Sequence, residues 1–143
     1  MLENRNQLEI EQKLKREMER EGLDALILTE PETILYASGF ASHFLYDSRR
    51  IGTTLAVVRK GGPGILILNE IEKQTAGNQC KDVKMETYPV WIYIDGVEDD
   101  GLEKPSQPDM MVPVKIALDF ITERTAEAKI GVQSPSIPHD IWD

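Results

Sequence analysis

The feature that most limits what this chain can fold into is a short, almost uninterrupted apolar run, LDALILT, at residues 23–29. The run is too short for a surface helix, and it lacks the alternation of polar and apolar residues that marks a half-buried strand. A strand of this composition is buried on both faces, as in a sheet that helices cover on both sides. The run therefore predicts a layered α/β fold.

The residues before this run predict a helix over residues 6–21. Asn6 is placed to cap the helix, and Gly22 supplies the left-handed residue on which helices commonly end. The apolar face of the helix is a stripe with a spacing of four residues, formed by Ile10, Leu14 and Met18. This stripe gives the helix one side that packs on the sheet.

The rest of the chain adds strands and helices in an order typical of α/β proteins. Strands are predicted at residues 53–59, 64–68, 83–88 and 129–133. Short helices are predicted at residues 32–38 and 69–77, the second ended by Gly77. A longer helix begins at Pro113, with an apolar stripe of Val114, Ala117, Leu118 and Ile121. The order indicates a three-layer α/β sandwich around a mixed sheet. The predicted core contains Leu26, Leu28, Leu55, Val57, Ile65, Ile67, Leu118 and Ile121.

Composition restricts the partners and the compartment. The chain carries 16 Lys and Arg against 25 Asp and Glu, a formal charge of −9, which disfavours nucleic-acid binding because a net acidic chain repels a polyanion. No apolar run reaches the length of a membrane span, and the charged N-terminus does not resemble a signal peptide. Cys80 is the single cysteine, so we expect no internal disulfide and a reducing, cytoplasmic location.

A search for catalytic patterns finds no complete active site. The two histidines, His43 and His139, belong to no metal-binding motif. The acidic group Asp95, Glu98, Asp99 and Asp100 lacks the ligand spacing of a calcium loop and is interpreted as solvated. GGPG at residues 61–64 is a turn rather than a phosphate-binding loop, and Cys80 is interpreted as an unreactive thiol. We therefore expect no catalytic residue and no metal or other cofactor in this chain.

Two motifs carry a resemblance to a known family. The segment EPETILYASGF, residues 30–40, follows a helix and the strand GLDALIL, and it precedes a strand pair around a Gly-rich turn. Near the end stands KIGVQ, residues 129–133, in which Gln133 takes a position where the family usually has an acid. Together these segments resemble the amino-terminal domain of the creatinase/prolidase/Xaa-Pro aminopeptidase family over essentially the whole chain.

The resemblance implies an architecture larger than this chain. It implies a ribonuclease-H-like α/β domain at residues 1–135, followed by a pita-bread catalytic domain that is absent here. That second domain would hold two divalent metal ions, such as Mn²⁺, on two Asp, one His and two Glu. Residues 136–143 are interpreted as the start of a linker helix to it, because their helical pattern stops after about one turn.

The resemblance also implies a function for the loop after Phe40. In creatinase-like dimers the corresponding loop brings an aromatic residue and an Arg to the partner's substrate. The resemblance assigns these substrate-gating positions to Arg50, Arg49, Tyr46, Phe44 and His43, in a homodimer that acts on a peptide or a small carboxylate. Two adjacent guanidinium groups suit carboxylate capture. The alternative is that they are solvated residues paired with Asp47. Trp91 and Tyr93 can also reach across a dimer, although strand aromatics are more often buried.

The function expected from the resemblance is that of a non-catalytic N-terminal domain of a metal-dependent Xaa-Pro dipeptidase or aminopeptidase. This domain would contribute to dimerisation and to the partner's substrate pocket. Two alternatives stay open: the N-terminal domain of a creatinase-type amidinohydrolase or family lyase, and a free-standing interaction module without catalysis.

Overall fold

The computed structural model describes residues 6–43, 45, 53–90, 108–123 and 126–133. The helices are α1 Gln7–Glu21, α2 Pro31–Ser38, α3 Lys73–Gln79 and α4 Val112–Thr122. The strands are β1 Ala25–Leu28, β2 Leu55–Arg59, β3 Ile65–Asn69, β4 Met85–Tyr88 and β5 Ile130–Val132. A 3₁₀ turn, Glu70–Glu72, leads directly into α3. None of the described helices has the length and apolar character needed to cross a membrane.

The described strands form one mixed sheet in the order β4-β3-β2-β1-β5. Strand β1 pairs antiparallel with β2 and parallel with β5, while β3 pairs antiparallel with β2 and parallel with β4. Consequently the C-terminal ends of β1, β3, β4 and β5 lie along the same edge as the N-terminal end of β2. This edge is named the rim. The predicted three-layer sandwich with a mixed sheet is confirmed.

Each face of the sheet carries its own hydrophobic core. One face packs against α1, α2 and α3 through a cluster that includes Met18, Leu28, Ile34, Phe40, Leu66 and Leu68. The other face packs against α4 through a cluster that includes Ile27, Leu55, Ile67, Val114, Ala117 and Ile121. Strand β1 contributes to both clusters, which is the two-sided burial that its apolar composition predicts.

The helix boundaries follow from local chemistry. Asn6 Oδ1 accepts a hydrogen bond from the Glu9 backbone N–H at 3.1 Å and so satisfies one of the free donors at the start of α1. Gly22 ends α1 with a φ of 70°, and Gly39 ends α2 with a φ of 84°. Both are left-handed conformations that residues with a Cβ adopt only at a cost. The predicted cap Asn6 and the predicted stop Gly22 are therefore confirmed.

Two predictions about the helices are wrong. Leu118 is 38% exposed, because the buried arc of α4 runs through Val114, Ala117, Phe120 and Ile121 and leaves Leu118 at its margin. Phe120 turns inward because its ring lies 3.6 Å from the guanidinium of Arg59, which also donates to the Phe120 carbonyl at 3.0 Å.

Gly77 does not end the second short helix. It lies inside α3, which continues to Gln79 and is followed by Cys80. The remaining core predictions hold, except that Leu26 is only half-buried against the first cluster.

Candidate functional site at the rim of the sheet

The residues predicted to gate substrate fall in the predicted loop after Phe40, between α2 and β2. Of them the structure describes only His43, which is exposed. Phe44, Tyr46, Arg49 and Arg50 lie outside the described residues, as do the two aromatics Trp91 and Tyr93 and the linker residues 136–143. The structure describes the residues that flank this segment, up to His43 and from Thr53, together with Leu45.

A buried carboxylate lies between the two ends of this loop. Glu72, only 7% exposed, accepts the hydroxyl of Ser42, whose Oγ lies 2.8 Å from Oε2 and 3.0 Å from Oε1. The backbone N–H of Leu45 donates to Ser42 Oγ at 3.1 Å, and the Thr54 hydroxyl lies 3.5 Å from the same oxygen. The residue just before the loop and a residue just after it therefore share one hydrogen-bond network.

Asn69 fixes the position of Glu72. Its Oδ1 accepts from the Glu72 backbone N–H at 3.2 Å, which makes Asn69 the cap of the 3₁₀ turn, and its Nδ2 lies 3.5 Å from Glu72 Oε2. Asn69 is itself the last residue of β3 and is 1% exposed. The carboxylate is thus held by the rigid end of a strand rather than by a surface loop.

Tyr88 contacts Thr53, which lies just before β2. Its hydroxyl donates to the backbone carbonyl of Thr53. Burial, and to a smaller extent the nearby negative charge of Glu72, raises the pKa of Tyr88 to about 12. The phenol therefore stays protonated and remains a donor throughout the physiological pH range.

A second polar contact at the rim joins β5 to α2. Gln133 Oε1 accepts from the backbone N–H groups of Thr29 and Glu30, at 3.0 and 3.2 Å, and the Thr33 hydroxyl lies 2.8 Å away. These donors belong to the end of β1 and the first turn of α2, where the free N–H groups and the helix dipole favour a negatively charged acceptor. The Thr29 hydroxyl, fully buried beside them, has no hydrogen-bond partner among the described residues.

The hydrogen bonds of Ser42, Glu72 and Gln133 hold neighbouring segments together and do not form a catalytic site. Ser42 is 1% exposed, so its hydroxyl is not accessible to a substrate. Among the described residues no group of three or more His, Cys, Asp or Glu side chains could hold a metal ion. The sequence interpretation missed Ser42 and Glu72. The spacing Asn69-x-x-Glu72 was a usable signal, because it resembles a helix-capping pattern.

The mixed sheet between helical layers, with polar residues along one rim, defines the chain as a three-layer α/β domain. Residues 11–141 match the sequence model described as the creatinase/prolidase N-terminal domain, and the chain belongs to that family. Among curated proteins, no sequence matches this chain. The predicted family is therefore confirmed.

Solved structures of the same kind share this fold. The N-terminal domain of Xaa-Pro dipeptidase from Lactobacillus brevis matches with a TM-score of 0.63 at 14% identity, over 94% of this chain and 82% of that one. An Xaa-Pro aminopeptidase from Streptococcus pyogenes matches with a TM-score of 0.63 at 12% identity, over 95% and 79%. The Xaa-Pro dipeptidase from Bacillus anthracis matches with a TM-score of 0.59 at 13% identity, over 96% of this chain but 30% of that one.

Proposed function

We propose that this chain is the non-catalytic N-terminal domain of a metal-dependent Xaa-Pro dipeptidase or aminopeptidase. The observation that carries the proposal is the family match over residues 11–141. The fold neighbours support it, because they are described as Xaa-Pro dipeptidases and an aminopeptidase, and this chain spans 30% of the Bacillus anthracis enzyme. In this proposal a second domain holds the two divalent metal ions and performs the hydrolysis.

The contribution of the domain is to form a homodimer and to complete the partner subunit's substrate pocket. Arg49 and Arg50 supply guanidinium groups that match a substrate carboxylate in a bidentate manner. The aromatic residues Phe44 and Tyr46, with His43, line the same pocket. The proposal is supported by Ser42 and Thr53, the described residues on either side of this segment, which both lie at the rim. The single cysteine, Cys80, is buried, which fits a cytoplasmic location.

The first test is the coding sequence beyond Asp143. The proposal expects it to continue into a domain with two Asp, one His and two Glu as metal ligands. A stop codon at that point would leave a free-standing interaction module and would contradict the proposal. Sedimentation of the full-length protein is expected to show a dimer.

The second test is kinetic and uses the full-length protein. Arg50→Ala, Arg49→Ala and the double variant are expected to lower kcat/KM by about ten- to a hundred-fold, the effect of losing one hydrogen bond to a charged group. The metal content should not change. Arg16→Ala removes an exposed guanidinium from α1 and is the matched control. If all three loop variants retain wild-type kinetics, the loop does not contact substrate.

A further inference from the structure

Helix α4 is apolar around most of its circumference. Within Val112–Thr122 only Lys115, Asp119 and Thr122 are polar. At 3.6 residues per turn these three side chains fall on one stripe that is about 60° wide. A helix with so narrow a polar stripe is normally buried on more than one side, whereas a surface helix has a broad polar face.

The sheet covers only part of this apolar circumference. The side of α4 that packs on the sheet consists of Pro113, Val114, Ala117, Phe120 and Ile121. Five more apolar residues lie beside the polar stripe or in the turn before the helix, and they are named the α4 flanks: Met110, Met111, Val112, Ile116 and Leu118. Met110 is 71% exposed and Leu118 is 38% exposed, while the other three are half-buried.

Helix α1 shows how this protein builds a helix that faces water. Apart from Leu8, the exposed residues of α1 are all polar: Glu9, Gln12, Lys13, Arg16, Glu17, Glu19, Arg20 and Glu21. Several of these side chains pair with one another. On α4, Lys115 and Asp119 belong to none of the ion pairs of the described residues, so both charges are available to a partner surface.

The size of the α4 flanks decides between the possible occupants. A helix of 11 residues is about 16 Å long and about 10 Å wide, so its outer half offers on the order of 250 Å². Two separate molecules that associate stably bury about 800 Å² on each partner. The α4 flanks alone are therefore too small to hold a second copy of this chain. A domain on the same polypeptide needs less contact area, because the connection keeps it at a high effective concentration.

We propose that the α4 flanks are the docking surface for a second domain of the same polypeptide. That domain presents apolar side chains to Met110, Ile116 and Leu118, an acid to Lys115 and a base to Asp119. The inference rests on the proposed function for the existence of the second domain. The Bacillus anthracis enzyme supports it, because this chain spans 30% of that protein and most of such a polypeptide lies outside this domain.

The docking is tested by the rate at which a thiol reagent labels single introduced cysteines, in this chain and in the full-length protein. Met110→Cys and Leu118→Cys place the thiol in the α4 flanks. Leu8→Cys is the matched control, because Leu8 is 65% exposed but lies on α1. Cys80 is buried and reports labelling that requires unfolding. We expect both α4 thiols to react at least ten-fold more slowly in the full-length protein, and Leu8→Cys to react equally in both proteins.

A charge placed in the α4 flanks tests the same contact in the opposite direction. Leu118→Lys, combined with Met110→Cys, puts an ammonium group against the apolar surface of the second domain, which is unfavourable without a partner. In the full-length protein it is expected to speed the labelling of Met110→Cys at least three-fold. In this chain the rate should not change. Gln12→Lys adds the same charge to the exposed side of α1 and should alter neither rate.

The outcomes separate the inference from the proposed function. If the α4 thiols react equally in the two proteins, the inference is wrong and the proposed function stands. The inference is also wrong if Leu8→Cys is slowed as much as Met110→Cys, or if the protection in the full-length protein is lost on dilution, which would assign the cover to another subunit. Protection of Met110→Cys that grows with the concentration of this chain alone would identify a second copy as the occupant and overturn the inference. A coding sequence that stops at Asp143 would overturn both.

Discussion

At the scale of single residues, Gln133 places a neutral oxygen where the surroundings suit an anion. Its Oε1 faces two backbone N–H groups and the Thr33 hydroxyl at the start of α2. A carboxylate of the same length would accept the same hydrogen bonds with the added attraction of its charge. The nearby acidic residues Glu30 and Glu32 oppose that gain, so we expect it to be small.

The first prediction is that Gln133→Glu stabilises the domain by about 0.5–1 kcal/mol at neutral pH. The three donors depress the pKa of the new carboxyl, so the gain is present above its unfolded pKa and is lost as the pH falls below about 4. Urea denaturation at pH 7 and pH 3 measures both effects.

The matched control for this prediction is Gln79→Glu. Gln79 Oε1 also accepts a backbone N–H, that of Ala41 at 3.0 Å, but it stands at the C-terminal end of α3, where the helix dipole disfavours an acid. Equal stabilisation by both substitutions would contradict the explanation that the start of α2 favours a negative charge.

The second prediction concerns the glycines of the turn between β2 and β3. A Cβ built on Gly64 would lie 2.5 Å from the Val57 carbonyl oxygen, which belongs to the backbone and cannot turn away. We expect Gly64→Ala to cost about 1–3 kcal/mol of unfolding free energy, the usual range for overpacking.

Gly61, in the same turn, has no atom within 4 Å of such a Cβ and serves as the control. Gly61→Ala is expected to change the stability by less than about 0.5 kcal/mol. Thermal denaturation of the two variants side by side checks the prediction, and a harmless Gly64→Ala would show that the β2–β3 ladder is looser than described.

At the scale of elements, the end of β4 depends on a protonated tyrosine. The pKa of Tyr88 is raised from 10.0 to about 12 in the folded state, first by burial and then by the charge of Glu72. Because the folded pKa lies above the unfolded one, the stability that this phenol contributes is complete below pH 10. It is lost as the pH rises toward 12.

The third prediction is therefore that wild-type protein loses stability between about pH 10 and pH 12 more steeply than Tyr88→Phe does. The difference between the two denaturation curves cancels the titration of lysines, which both proteins share. The absorbance of tyrosinate should show one late titration step that Tyr88→Phe lacks. Identical slopes for the two proteins would contradict the assignment of Tyr88 as a buried, neutral donor.

The elements differ in how well the sequence predicts them, and the difference has a physical cause. Strand β1 and helix α1 were predictable because composition, periodicity and the capping residues Asn6 and Gly22 all predict the same two elements. Leu118 was misplaced because the contact of Phe120 with Arg59, 61 residues away, rotates the buried arc of α4. Local periodicity contains no information about such a partner.

The candidate site was predictable only in part, for a related reason. The loop with Arg49 and Arg50 was assigned by its motif, and its side chains lie outside the described residues. The hydrogen bond between Ser42 and Glu72 was not predictable because the two residues are 30 residues apart and become neighbours only in the folded sheet. A serine and a glutamate in separate segments are each ordinary surface residues by composition.

At the scale of the whole molecule, the fourth prediction is that this chain binds no catalytic metal. The motivation is the lack of a ligand motif in the sequence, together with the finding that no suitable cluster exists among the described residues. Isothermal titration with Mn²⁺ is expected to show no tight stoichiometric binding. In the proposed function the full-length protein binds two ions, so that protein, stripped with a chelator, is the positive control. Tight binding of two Mn²⁺ ions by this chain alone would contradict the prediction.

The parallel pairing of β1 with β5 has a consequence during synthesis of the chain. Asp24, at the start of β1, bonds to Lys129, which is 105 residues later. At about 5–20 residues per second, the ribosome needs about 5–20 s to produce the partner strand after β1 has been made. During that interval one edge of the most apolar strand exposes unpaired N–H and C=O groups, a pattern that recruits other extended chains. The nascent protein is therefore expected to depend on chaperones until β5 emerges, even though the finished sheet covers this edge.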